Sequence, residues 1–257
     1  MAEFDRPTIA SARAGTAAAI DEGLRSYMLK VYNYMSVGLV VTGLVAYFAN
    51  AAAVTTDPNA AAAQLANGEL LTQWGVLLYT SPLMWVITFA PLAFVLVLSF
   101  GINRLSVPAA QAIFWGFSAL MGLSLSSIFL VYTDASIAKV FFITAATFGA
   151  MSLYGYTTKR DLTSIGNFLI MGLIGLIIAS IVNIFMQSSM LEFAISIIGV
   201  LIFVGLTAYD TQKIKESYSA SFGADVLAKG AIMGALNLYL DFINLFMMLL
   251  RLFGNRE

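Results

Sequence analysis

The chain has 257 residues, 60% of them hydrophobic and only 11% charged, with a mean hydropathy of +0.87. Soluble domains carry roughly 25% charged and 45–50% apolar residues, so this composition belongs to an all-α, polytopic integral membrane protein embedded in a lipid bilayer. A net charge of −1 argues against a nucleic-acid partner. The lack of cysteine and histidine excludes disulfides and thiolate chemistry, and confines any pH response between 5 and 8 to a carboxylate or amine with a shifted pKa.

Residues 1–26 form a polar arm of mixed charge without the apolar run of a signal peptide. It is expected to be a disordered tail on the cytoplasmic side, or a short amphipathic arm around Thr16–Leu24. Residues 27–257 form the membrane domain. Seven apolar segments follow in order: Val31–Ala49, Leu77–Phe100, Val107–Val131, Val140–Leu153, Phe168–Phe185, Phe193–Tyr209 and Gly230–Phe253. Between the first two lies Ala51–Gln73, a long Ala/Asn-rich loop with no Lys or Arg. Small residues at four-residue spacing (Ser118, Gly122 and Ser126; Gly175 and Ala179) predict seams where helix backbones approach closely. Asn183 and Gln187 suit a polar cap at the end of the fifth segment, and Trp74 an interfacial belt position.

The cations set an orientation. The arm and the even-to-odd loops carry Arg6, Arg13, Arg25, Lys30, Arg104, Lys159, Arg160, Lys213, Lys215 and Lys229, whereas the odd-to-even loops carry Lys139 alone, ten against one. The N-terminus is therefore expected in the cytoplasm. Arg251 and Arg256 fit this rule only if the last segment dips in and returns.

Within that segment Asp241 is the one ionisable residue of Gly230–Leu250. An aspartate at the centre of a spanning helix costs about 2.5–3.5 kcal/mol on insertion scales. At 100° per residue, Asn237, Asp241, Asn244, Met248 and Arg251 fall within about 80° of one another. The stripe is either a polar contact gluing helices together or an ion or proton site. Asp210 ends the sixth segment in GLTAYDTQKIK, with Thr207 and Thr211 on its face. Alone it reads more readily as an exposed aspartate paired with Lys213 on the next turn, a contact worth little energetically.

The two stretches GLTAYDTQKIKE and LNLYLDFINLFMMLLRLFG together resemble the hallmark region of the Bax inhibitor-1 family, the transmembrane Bax inhibitor motif proteins, in its bacterial branch. The resemblance implies a seven-helix bundle with the last helix central, in the bacterial inner (plasma) membrane. It also implies a Ca²⁺ leak sensitive to pH, with Asp210 and Asp241 as a hydrogen-bonded pair and tentative Ca²⁺ ligands. Arg104, in SFGINRLS, is the candidate for a family arginine that engages the pair and favours closure at high pH. The chain departs from some relatives in having no acid between Pro82 and Asn103, and from animal members in ending NRE rather than in a lysine-rich tail.

Two carboxylates a few Å apart in low dielectric cannot both ionise cheaply, so such a pair shares a proton. Its loss leaves two charges for a cation, Arg104 or Ca²⁺, to satisfy. Ca²⁺ takes six to eight oxygens, and Asn237, Asn244 and Thr207 could supply some along an ion path. No tightly bound cofactor and no enzymatic activity are expected. The rival function is that of a non-conducting partner of a membrane-bound protease, engaged through the polar arm.

One geometric tension accompanies the pair. Asp241 lies about 17 Å along a helix from Lys229, near mid-membrane, while Asp210 belongs near one face. They meet only if Lys229–Met233 stands outside the core or the sixth helix is sunk, and the first case favours a tilted or re-entrant seventh segment.

Overall fold

The computed structural model of the chain describes residues 6–65 and 68–256, with side chains from residue 22 onward. Helix α1 runs Arg6–Ala53, so the backbone of the polar arm is helical from Arg6 rather than a coil, while its residues 1–5 and its side chains before residue 22 lie outside the described residues. The loop that follows is not featureless. Its strands β1 (Val54–Thr55), β2 (Ala63–Gln64) and β3 (Leu70–Leu71) pair antiparallel in the order β1-β3-β2 and form a small cap.

The second segment, expected as one run over Leu77–Phe100, is broken in two. Helix α2 (Gln73–Tyr79) starts where Thr72 Oγ1 accepts from Gly75 N, and Thr80-Ser81-Pro82 separates it from α3 (Leu83–Gly101). Proline disfavours helical backbone at the residue before it, a local effect that a hydropathy window smooths over. Helix α4 (Val107–Leu125) begins at the Ser106 cap with Pro108 in its first turn, and tightens into a 3₁₀ turn over Ser126–Leu130. Helix α5 (Asp134–Thr157) is longer than its apolar centre and takes in Lys139 and Tyr154.

Helix α6 (Thr163–Met186) starts where Asp161 Oδ1 accepts from Thr163 N at 2.8 Å. Hydrogen bonds from the Thr163 side chain and backbone hold the Asp161 carboxyl below the ordinary carboxylate range. This support for the helix start is present above the ordinary pKa and fades as pH falls through the lowered one. At its other end Asn183 Oδ1 accepts from Ser188 N and Gln187 adopts a left-handed φ of 49°, so the polar cap expected there is formed. Helices α7 (Ser189–Glu216) and α8 (Ala224–Phe253) complete the bundle.

Among the described residues seven helices, all but α2, are long and apolar enough to cross a membrane. Helix α8 is the axis: 72% of its apolar window is buried, against at most 39% for any other span and 6% for α6. It packs on α1, α4, α5 and α7. The outer helices turn large apolar side chains outward, Phe100 and Phe185 among them, a surface that suits lipid rather than water.

Helix α8 passes through the whole bundle, which corrects the re-entrant alternative. Gly199 lies against Met248 and Gly234 against Ile214, so α7 and α8 run antiparallel. The first turns of α8 project past the end of α7, where Gly230 meets Tyr27. At the far end Thr133 N donates to Asn255 O, Asn255 N donates to Ser136 Oγ, and Arg256 pairs with Glu192 at 3.3 Å. Arg251 and Arg256 thus join the cation-poor end of the bundle.

The seam in α4 is a packing feature. Ser118 and Ser126 are fully buried, and a Cβ at Gly122 would strike the carbonyl of Thr42 on α1. The expected seam in α6 is formed only in part: Ala179 packs against the core, but Gly175 is exposed with nothing within 4 Å of a Cβ placed there, and Gly172 and Gly166 meet Ile202 and Tyr209 of α7.

Thr42 also ties the axis to α1. Its Oγ1 lies 2.9 Å from Gly38 O, 2.8 Å from Ser118 O and 2.6 Å from the hydroxyl of Tyr239, which is fully buried on α8. One hydroxyl proton serves a carbonyl, so Tyr239 donates to Thr42. Thr42→Val strands the Tyr239 hydroxyl and is expected to cost about 1–3 kcal/mol, whereas removing both hydroxyls (Thr42→Val with Tyr239→Phe) is expected to cost less than Thr42→Val alone. Thermal unfolding of the purified variants in detergent compares them.

Candidate functional site

The site is built where α7 crosses α8. The two helices approach closely, as do α5 and α7 beside them, where a Cβ at Gly155 would strike the Ala208 carbonyl. This fixes the height of Asp210 two residues later. Because α8 begins beyond the end of α7, Asp241 comes down to the level of Asp210, and the two carboxyls face each other within side-chain hydrogen-bonding reach. Asp241 is buried, and its Oδ2 has no hydrogen-bond partner while both acids are charged. Two carboxylates offer only acceptors. A proton held between them turns one carboxyl into a donor to the other.

Both acids line a cavity of about 730 Å³. Its α7–α8 wall carries the polar groups, Asn237, Asp241 and Asn244 of α8 with Asp210 and Lys213 of α7, among apolar side chains such as Phe203 and Leu240. Its outer wall is apolar, formed by leucines and isoleucines of α6 and by Leu92 of α3. A second cavity of about 320 Å³ shares Ser180 and Ile184 with the first and is lined by Asn183, Glu192 and Arg251. The stripe from Asn237 to Arg251 therefore borders two adjoining spaces that follow the axis towards the far end of the bundle.

Not every expected residue is there. Thr207 is fully buried, and its hydroxyl donates to Phe203 O at 2.7 Å within α7, off the cavity wall. Asn244 Nδ2 donates to Leu240 O, leaving its carbonyl oxygen available. Arg104 is exposed in the turn after α3, where its backbone N donates to Gly101 O; it does not line the cavity, and among the described residues it makes no ion pair.

The cation on the wall is Lys213, one turn past Asp210, near enough to act on it electrostatically without closing an ion pair. Its ammonium lies 5.8 Å from the centroid of the Tyr209 ring. The three-residue spacing from Asp210 marked it. Ser180 carried no such mark, since it reads as one more small residue of α6.

Among the described residues no group of three acids could cage a metal. Two carboxylates and amide oxygens fall short of the six to eight oxygens of a Ca²⁺ cage.

A family model described as inhibitor of apoptosis-promoting Bax1 matches residues 24–257. The chain belongs to the Bax inhibitor-1 family. Among its relatives, the inner membrane protein YbhL of Escherichia coli is 50% identical over 91% of this chain and 94% of its own length. An uncharacterised protein of Rickettsia prowazekii is 50% identical over 92% of each chain, and one of Caulobacter vibrioides is 45% identical over the full length of both. The Bax inhibitor-1 match spans all seven candidate spans but for the first two residues of the first, and with them both aspartates.

Proposed function

We propose that this Bax inhibitor-1 protein is a pH-sensitive leak for Ca²⁺ in the bacterial inner membrane, gated by Asp210 and Asp241. The observation that carries the reading is the buried Asp241 carboxyl, which has one oxygen without a donor and lies within hydrogen-bonding reach of a second carboxyl on the wall of a cavity. At high pH both acids are ionised, and the cation beside them holds α7 and α8 in the closed arrangement. As pH falls a proton returns, the acids bond each other, the cation loses much of its hold and the path opens. Ca²⁺ competes with that cation for the ionised pair and crosses as cargo.

The test is Ca²⁺ entry into dye-loaded liposomes containing the purified chain. Flux is expected at pH 6 and to fall at pH 8; flux no greater than in protein-free liposomes at either pH overturns the leak. The second reading, a non-conducting partner of a membrane-bound protease, would then stand. It is favoured by α1, whose 48 residues extend about 72 Å at the helical rise, far more than a bilayer core of about 30 Å requires.

The N-terminus is proposed to be cytoplasmic, with the C-terminus on the opposite side because α8 traverses the bundle. In this chain without native cysteine, single cysteines replacing Ala10 and Asn255 are expected to label from opposite faces. Labelling of both from one face removes the orientation.

A further inference from the structure

Helices α1 and α5 both pack on α8 and leave a trough of about 520 Å³ between them. Met28, Leu29 and Met35 line one side and Phe148 and Leu153 the other. The polar groups on its floor are already satisfied: the Tyr32 hydroxyl bonds Ser152 Oγ at 2.5 Å, and Ser152 bonds Thr211 at 3.0 Å. Gly149 lines the trough with nothing within 4 Å of a Cβ built on it, so the space is open there. From Arg25 to Met35 the trough is about 15 Å long at the helical rise, about half of a hydrocarbon core of ~30 Å and so one leaflet deep. Only one end is charged. Arg25 is exposed at that mouth, and Lys215 stands by it with its ammonium donating to Tyr156 O at 2.7 Å.

An apolar slot one leaflet deep with a guanidinium at its membrane-surface end has the chemistry of a lipid site. We propose that this trough holds one acyl chain of an anionic phospholipid, with the lipid phosphate at Arg25. Methionine walls adapt to a flexible chain. Arginine matches phosphate geometry through paired N–H donors. Each cation at such a surface favours anionic lipid by roughly fivefold. The site lies apart from the aspartate cavity and does not depend on conduction.

Native mass spectrometry of the full chain in detergent, titrated with phosphatidylglycerol or with phosphatidylcholine of the same acyl chains, reads the site directly. The wild-type chain is expected to retain phosphatidylglycerol in preference to phosphatidylcholine. Arg25→Gln is expected to lower phosphatidylglycerol retention about fivefold and phosphatidylcholine, whose phosphate is offset by its choline, by a smaller factor, with Arg25→Lys recovering part of the loss. Gly149→Leu fills the slot and is expected to reduce both lipids. Should that variant not fold, the Arg25 pair alone decides, since its exposed side chain is free to change. An undiminished preference in Arg25→Gln, unchanged retention in a folded Gly149→Leu, or displacement of the lipid by inorganic phosphate alone would each overturn the proposal.

Discussion

Asp241→Asn is expected to remove the difference in Ca²⁺ flux between pH 6 and pH 8 and, in the same protein, to raise the melting temperature. Asparagine is the shape of aspartate with a permanent donor, so it bonds Asp210 at any pH and no longer needs a shared proton. The buried Asp241 Oδ2 has no partner when both acids are charged, and a stranded buried polar atom costs about 1–3 kcal/mol. Relief of that cost is the expected gain in stability. The two readings of the stripe separate here, because a residue kept only to glue helices would lose stability on substitution and leave gating as it was. Asp210→Asn is expected to act in the same way from the other side. The double variant should then differ from the sum of the two by about 0.5–3 kcal/mol, as for groups in contact. Additive effects in flux and in melting would show that the two carboxyls do not work as a pair.

The polar face of α8 was legible because a 3.6-residue period and a lone central acid are properties of one helix. Asn237, Asp241, Asn244 and Met248 do share the cavity wall. The level of Asp210 was not legible from its own segment. It depends on how far α8 overshoots α7, which is set by contacts distant in sequence, such as Gly234 on Ile214 and Gly199 on Met248, and by the turn where Tyr218 packs on Tyr27 at 5.5 Å between ring centroids. The same holds for the cap. Strands of two residues carry no alternation to detect, and the pairing of Val54 with Leu71 spans a loop whose composition suggests only coil. Gly175 failed as a seam for a simpler reason: spacing says which residues share a face, but not whether that face meets a helix or lipid.

The cation proposed to hold the aspartate pair is where sequence and structure point to different residues, and the expected results separate them. The family resemblance implies an arginine near the end of the second segment, and Arg104 is the sole cation on the short link there. In the structure it is exposed outside the cavity, while Lys213 stands on the wall beside Asp210. Both side chains are exposed, but position favours the lysine, because it lines the cavity beside Asp210 and attraction falls with distance. Lys213 is also on the same helix as Asp210, so no movement of α3 is required for it to act. Lys213→Ala is therefore expected to raise Ca²⁺ leak at pH 8 by about tenfold, the factor that a lost hold of about 1.4 kcal/mol represents. Lys213→Arg should keep the channel closed there. Arg104→Ala is expected to express normally and to leave the ratio of flux at pH 6 to pH 8 unchanged, as for a cation that only anchors a loop at the membrane surface. The reverse outcome, leak from Arg104→Ala and none from Lys213→Ala, would mean that α3 swings across the mouth of the cavity in the closed state. Leu92, the residue of α3 already on the cavity wall, would then mark the side from which that helix enters.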